Sequence, residues 1–125
     1  MAKKILICDD NLDLAKSVAM RLKASGYEVF LAGDGFQSVS LAHQKNPDLI
    51  ILDIKMPAGD GCTVYKNLQS SINTKLIPVM LFSALPISEV KEKTKQLGAA
   101  DCLTKPCDLS ELVSKVQKIL NDSTD

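Results

Sequence analysis

Lys4-Ile5-Leu6-Ile7-Cys8-Asp9-Asp10 decides the fold: an unbroken apolar run closed by two aspartates. Apolar residues without period-two alternation suit a central strand of a parallel sheet, covered on both faces. Three later runs repeat the grammar. Leu49-Ile50-Ile51-Leu52 ends on Asp53, Val79-Met80-Leu81-Phe82 on Ser83, and Cys102-Leu103-Thr104 on Lys105. Pro78 stands at the entry of its run, where a missing ladder donor costs least. Residues 28–32 and 100–104 are less uniformly apolar and read as edge strands. Helix-like segments fill the intervals, with no long linker, repeat or low-complexity tract, and such alternation is the α/β signature. In an open parallel sheet ligands bind at the carboxyl ends of the strands, so Asp9, Asp10, Asp53, Ser83 and Lys105 are expected to converge there.

The helices are punctuated by recognisable caps. The first places Leu14, Ala15, Val18, Ala19 and Leu22 on one face and stops at Ser25-Gly26, where glycine accepts the left-handed conformation. The second, near 35–45, ends before Asn46-Pro47 because the residue preceding proline avoids helical geometry. A third carries Val64, Tyr65 and Leu68. The last opens on Asp108 as N-cap with Glu111 three residues on, and is expected to bury Leu109, Leu112, Val113, Val116, Ile119 and Leu120. The fourth, between Ser88 and Gly98, has only Val90 and Leu97 as strong apolar anchors beside Thr94, with Glu89, Lys91, Glu92, Lys93 and Lys95 outward. Few buried contacts are expected to make it one of the least firmly held elements.

Bulk properties exclude several classes. A chain of 125 residues is one domain with enough core to fold without staples. Fifteen basic residues balance fifteen acidic ones and aromatics are scarce, so no phosphate-tracking groove or base-stacking platform is indicated. The four cysteines, Cys8, Cys62, Cys102 and Cys107, form no CxxC pair, and His43 is remote from them, so zinc is not indicated and a reduced, cytosolic compartment fits. Met1-Ala2-Lys3-Lys4 leads into a run too short for a signal peptide or a membrane span.

Singly, the strand-end residues have ordinary explanations. Asp10 or Asn11 could cap the first helix, Asp53 could open the turn Met56-Pro57-Ala58-Gly59-Asp60-Gly61, Ser83 could bond its own backbone, and Lys105 could be a surface lysine. Their common edge argues otherwise. Three carboxylates crowded together repel unless a cation neutralises them. Oxygen-only ligands select a hard ion, and magnesium suits a site that retains water and meets a phosphate. Asp53, between the acidic pair and Lys105, is then the natural nucleophile.

Asp9-Asp10, Asp53 in Asp53-Ile54-Lys55-Met56-Pro57-Ala58-Gly59-Asp60-Gly61, Ser83-Ala84 and Lys105-Pro106, in that order, closely resemble the receiver domains of two-component response regulators. The likeness extends over about residues 3–121 of a single domain spanning 1–125, with a short polar C-terminal tail. It implies a doubly wound, flavodoxin-like five-stranded parallel sheet of order 2-1-3-4-5 flanked by five helices, the arrangement general for this fold. It implies that Asp53 accepts a phosphoryl group from a histidine kinase or phosphotransfer protein. Magnesium would be held by Asp10, Asp53 and the Lys55 backbone carbonyl, with Asp9 acting through water. Lys105, Ser83 and the Ala84 amide would engage phosphoryl oxygens, and the Lys105–Pro106 bond would be cis. Lys55 and Leu85, each two positions beyond a key residue, are where phosphate lifetime would be tuned.

One position departs from that pattern. Cys102 stands where most relatives carry Tyr or Phe, so the switch positions the resemblance implies are Ser83 and Cys102, the latter expected to pack as a small residue against the fourth helix without an aromatic readout. Switching is expected in the loop Leu85-Pro86-Ile87 and the fourth helix. A downstream target would meet the face of the fourth helix, fifth strand and fifth helix, without direct nucleic-acid or membrane contact. The resulting expectation is a cytoplasmic signalling switch that assists its own phosphorylation and dephosphorylation and turns over no independent substrate. A phosphorylation-independent receiver-fold adaptor is the alternative. An aspartate-nucleophile phosphatase is disfavoured, since it would place a second Asp two residues after one on the first strand, and Asn11-Leu12 follows Asp10.

Overall fold

Helices and strands alternate in a computed structural model that describes residues 2–55 and 61–121. The strands are β1 (Lys4–Cys8), β2 (Glu28–Ala32), β3 (Leu49–Leu52), β4 (Val79–Ser83) and β5 (Asp101–Thr104). The helices are α1 (Leu12–Ala24), α2 (Gly35–Lys45), α3 (Gly61–Gln69), α4 (Ile87–Leu97) and α5 (Leu109–Ile119). All strands pair in parallel in the order β2-β1-β3-β4-β5, as expected. The three apolar runs are the inner strands and the two mixed runs the edges. The loop 56–60 and the end of the tail lie outside the described residues.

Period-two geometry splits the inner strands between two cores. Ile5, Ile7, Ile51, Met80 and Phe82 pack with Val18 and Leu22 of α1 and Leu112 and Val116 of α5. Leu6, Cys8, Ile50, Leu52 and Leu81 face Ala42, Val64, Leu68 and Val90 of α2, α3 and α4. Every side chain of β3 and β4 is buried, which is why those runs show no alternation. His43 is exposed. Leu109 and Ile119, the first and last residues of α5, are half-buried rather than buried, packed against the edge of the core. Lys93 is likewise half-buried and not fully outward.

The caps follow their residues. Asn11 Oδ1 accepts from the Leu14 amide, Asp34 Oδ1 from Gln37, and Asp108 Oδ1 from Ser110. Asn46, at φ 50°, ends α2 in the left-handed conformation before Pro47. α4 begins at Pro86 with no side-chain cap, and Val90 is its one buried residue. Burying one Val or Leu contributes roughly 1.5–3 kcal/mol, so α4, with fewer such anchors than α1 or α5, opens more readily. Its amides are expected to exchange at least about tenfold faster than the central amides of α1 and α5 by hydrogen-exchange mass spectrometry. Equal protection in the three helices would show that α4 has another anchor.

Candidate functional site

Register alone brings the strand-end residues together. Cys8 pairs with Leu52 and Ser83 with Thr104, so Asp9 and Asp53 leave adjacent strands at one level, as do Ala84 and Lys105. Backbone bonds carry the pairing one step further: Asp53 N donates to Cys8 O at 2.9 Å, and Lys105 N to Ser83 O at 2.9 Å. The Lys105–Pro106 peptide bond is cis.

One ammonium joins two of the carboxylates. Lys105 Nζ donates to Asp9 Oδ2 at 2.6 Å and to Asp53 Oδ2 at 3.1 Å. The remaining oxygens take backbone donors, Asn11 N to Asp9 Oδ1 at 2.9 Å and Lys55 N to Asp53 Oδ1 at 3.0 Å. Asp9 and Asp53 are buried whereas Asp10 is exposed. Among the described residues, Asp9, Asp10 and Asp53 offer carboxylate oxygens that all lie within 4.8 Å of one another. This oxygen-only set fits a hard divalent cation, and exposed Asp10 leaves it open to water. Asn11 caps α1, which leaves the Asp10 carboxylate for the cluster.

Of the remaining candidates, Ser83 takes a local partner. Ser83 is fully buried and its Oγ accepts from the Leu85 amide at 3.3 Å, the self-bonded turn that the residue type favours. Ala84 is exposed. Cys102 is half-buried against the core beneath α4. Sequence reasoning missed three features. The Asn11 amide fixes Asp9, the Phe82 ring lies under Lys105 with Nζ 5.2 Å from its centroid, and Gly61 is pressed against the Asp53 backbone. Only the first has a sequence signal, an aspartate two residues before a cap residue.

Burial raises the pKa of Asp53 above the usual carboxylate value, more than the Lys55 amide and the Lys105 ammonium lower it. Lys105 moves up as well: burial works against its charge, but the Asp9 hydrogen bond and the two negative charges outweigh it. Cys8, beside this cluster but in the core, is pushed up to about 12 by burial, so it takes no part as a thiolate.

A carboxyl whose folded pKa exceeds its unfolded one adds stability below the unfolded value and loses it as pH rises through the folded value. Ionised Asp53 therefore costs stability at neutral pH. Asp53→Asn is expected to be more stable than wild type in chelator at pH 7, by on the order of 1 kcal/mol or about 3–6 °C in Tm. The gap should close as pH falls through the range where Asp53 takes up a proton, and also when magnesium is added to wild type. Thermal melts across pH, with and without the cation, check both arms.

The family pattern for the response regulator receiver domain matches residues 5–117. This chain belongs to that family. Across 117 residues the receiver domain is 39% identical to the DNA-binding dual master transcriptional regulator RpaA of Synechocystis sp., covering 94% of this chain and 48% of that one. It thus spans about half the length of that relative. Its backbone resembles the chemotaxis response regulator CheY4 of Vibrio cholerae with a TM-score of 0.89 at 29% identity, covering 96% of this chain and 100% of the other. It also resembles the receiver domain of the sensor histidine kinase PA1611 of Pseudomonas aeruginosa, with a TM-score of 0.87 at 27% identity over 97% and 99% of the two chains. That structure carries a magnesium ion in its active-site cleft. The receiver domain is accordingly a signalling module of two-component systems, and no described helix is long and apolar enough to cross a membrane.

Proposed function

We propose that this receiver domain is a phosphorylation-dependent switch in which Asp53 takes a phosphoryl group from a phosphohistidine on a histidine kinase or phosphotransfer protein. One observation carries the reading: a buried nucleophile candidate, Asp53, shares the Lys105 ammonium with Asp9 inside a three-carboxylate cluster at the sheet rim. An Asp53 oxygen forms the new bond to phosphorus as the phosphorus–nitrogen bond of the donor breaks, leaving an aspartyl phosphate and a free imidazole.

Phosphoryl transfer needs little more of a protein than in-line positioning and neutralisation of the equatorial oxygens. The Lys55 amide orients Asp53 through Oδ1. Lys105 supplies a positive charge, and the Ser83 hydroxyl and Ala84 amide supply donors. Magnesium, held by Asp10, Asp53 and the Lys55 carbonyl with Asp9 through water, would neutralise further phosphoryl charge. When Ser83 turns to a phosphoryl oxygen it releases the Leu85 amide, which leads through Pro86 into the weakly anchored α4. Small, half-buried Cys102 leaves this displacement without an aromatic reporter, so the altered surface is that of α4, β5 and α5 themselves, where a downstream partner would bind. Lys55 and Leu85 flank the phosphorylated group and tune its hydrolysis. Each transfer is undone when water attacks phosphorus, breaking the Asp53 oxygen–phosphorus bond and releasing inorganic phosphate, with no independent substrate turned over.

Incubation with phosphoramidate and magnesium, followed by intact-mass measurement, tests this. Wild type is expected to gain the mass of one phosphoryl group and Asp53→Asn none. An unmodified wild type, or equal uptake by Asp53→Asn, would sink the reading and leave a phosphorylation-independent adaptor.

A further inference from the structure

Lys105 has to change partners during the transfer proposed above. Its ammonium now bonds Asp9 Oδ2 and Asp53 Oδ2. Under the phosphotransfer reading, the Asp53 carboxylate becomes an acyl phosphate and gives up its charge, and Asp9 would turn from Lys105 toward water on a bound cation. Lysine is a point charge on a flexible four-carbon stem, so losing both anchors frees it when charge develops on phosphorus. A pocket of about 340 Å³, lined in part by Leu14, Cys107 and Leu109, opens beside it and offers room to swing away.

A third neighbour stays put. The Phe82 ring lies with its centroid 5.2 Å from Lys105 Nζ, inside the range of a cation–π contact. The ring is 2% exposed and is held within the core between the sheet, α1 and α5. Its strand and that of Lys105 are joined one residue further on by the Lys105 N–Ser83 O bond. A leucine or isoleucine would also be buried at this position, at the cost of some core volume. Only an aromatic ring presents a negative face to an ammonium.

We propose that Phe82 is a positioning residue of phosphoryl transfer, a role that rests on the phosphotransfer reading: its ring face holds the Lys105 ammonium at the rim while that group exchanges carboxylate for phosphoryl partners. The ring contributes no donor and touches no reacting atom. It narrows where the charge resides, and this matters most when Lys105 has let go of Asp9.

The test compares Phe82→Leu, which fills the core without a ring, with Phe82→Tyr, which keeps the ring, using phosphoramidate at saturating magnesium. Phe82→Leu is expected to be phosphorylated about five- to thirtyfold more slowly than wild type. Phe82→Tyr should restore most of the rate. In a Lys105→Met background Phe82→Leu should have no further effect, since a double-mutant cycle isolates the pair. By NMR, the Lys105 ε-methylene should be shifted upfield by the ring in wild type and remain so after beryllofluoride and magnesium are added. That measurement needs no variant and holds even if Phe82→Leu does not fold. Phe82 has no such role if the methylene moves to its random-coil position with beryllofluoride, if folded Phe82→Leu is as fast as wild type, or if it slows the Lys105→Met protein equally. A wild type that takes up no phosphoryl group brings down the phosphotransfer reading itself, a result distinct from any of these.

Discussion

Lys105→Met is expected to slow phosphorylation by a small phosphodonor about 10²–10³-fold, the usual loss when one preorganised charge-stabilising donor is removed. The same substitution acts in two further directions that separate catalysis from folding. It leaves the buried Asp9 and Asp53 carboxylates without their shared cation. Breaking a buried pair costs about 3–5 kcal/mol, and the partial exposure of Lys105 brings the expectation down to about 2–3 kcal/mol in chelator at neutral pH. Magnesium affinity should rise several-fold, because an ammonium that competes for the same oxygens is gone. Saturating magnesium should therefore recover most of the lost stability while leaving phosphorylation slow. Denaturation with and without the cation, a magnesium titration and intact-mass kinetics on one preparation check the three arms. A variant that phosphorylates normally would remove Lys105 from the chemistry, and unchanged cation affinity would mean that the ammonium does not compete for those carboxylates.

The pH behaviour of the same pair follows from opposite signs. Lys105, raised in the folded state, contributes stability that is present below its unfolded pKa and lost as pH rises through the folded one. Asp53 loses its contribution far lower, as it ionises. Between the two ranges the site holds more carboxylate charge than one ammonium balances. The proposed affinity for a divalent cation would thus come at the expense of stability without it.

What could be read in advance was whatever burial writes directly into residue type. Strands covered on both faces cannot alternate, so Leu49–Leu52 and Val79–Phe82 identified themselves as inner strands, and the mixed runs at 28–32 and 100–104 as edges. Parallel register then places residues following those runs at one level, which is why the acidic cluster was legible from strand ends alone. Partners decided by side-chain geometry were not. Nothing in residue order distinguishes Asn11 from Asp10 as the cap, yet that choice leaves Asp10 to the carboxylate cluster. Nor does it show that Asp9 bonds Lys105 directly. Thr74 is another case: it lies buried in the turns after α3 because its hydroxyl donates to Leu68 O at 2.6 Å, satisfying a helix-end carbonyl. Such a residue reads as loop from its type and neighbours, and only the returning chain reveals its acceptor.

Gly61 carries the second large effect, and its cause is likewise invisible in the sequence, where it closes a turn-like stretch. A Cβ placed there would stand 2.4 Å from Asp53 O and 2.5 Å from Ile54 Cα. Both are backbone atoms, so no rotamer change relieves the contact. The Gly61 amide also donates to Ile54 O at 2.7 Å, pinning the start of α3 against the segment that follows β3. Gly61→Ala must push these two stretches apart, and overpacking of this kind costs about 1–3 kcal/mol. Because the displaced backbone is that of Asp53 itself, phosphorylation should fall as well, and a misplacement near 1 Å is worth on the order of 10²-fold in rate. Gly33→Ala supplies the control: a Cβ there meets nothing nearer than Gln37 Oε1 at 3.7 Å, so stability and rate are both expected to stay close to wild type. Urea denaturation and phosphodonor kinetics on the two variants decide the matter. If Gly61→Ala matched Gly33→Ala in both, the close approach of α3 to the Asp53 backbone would not be what sets the nucleophile in place.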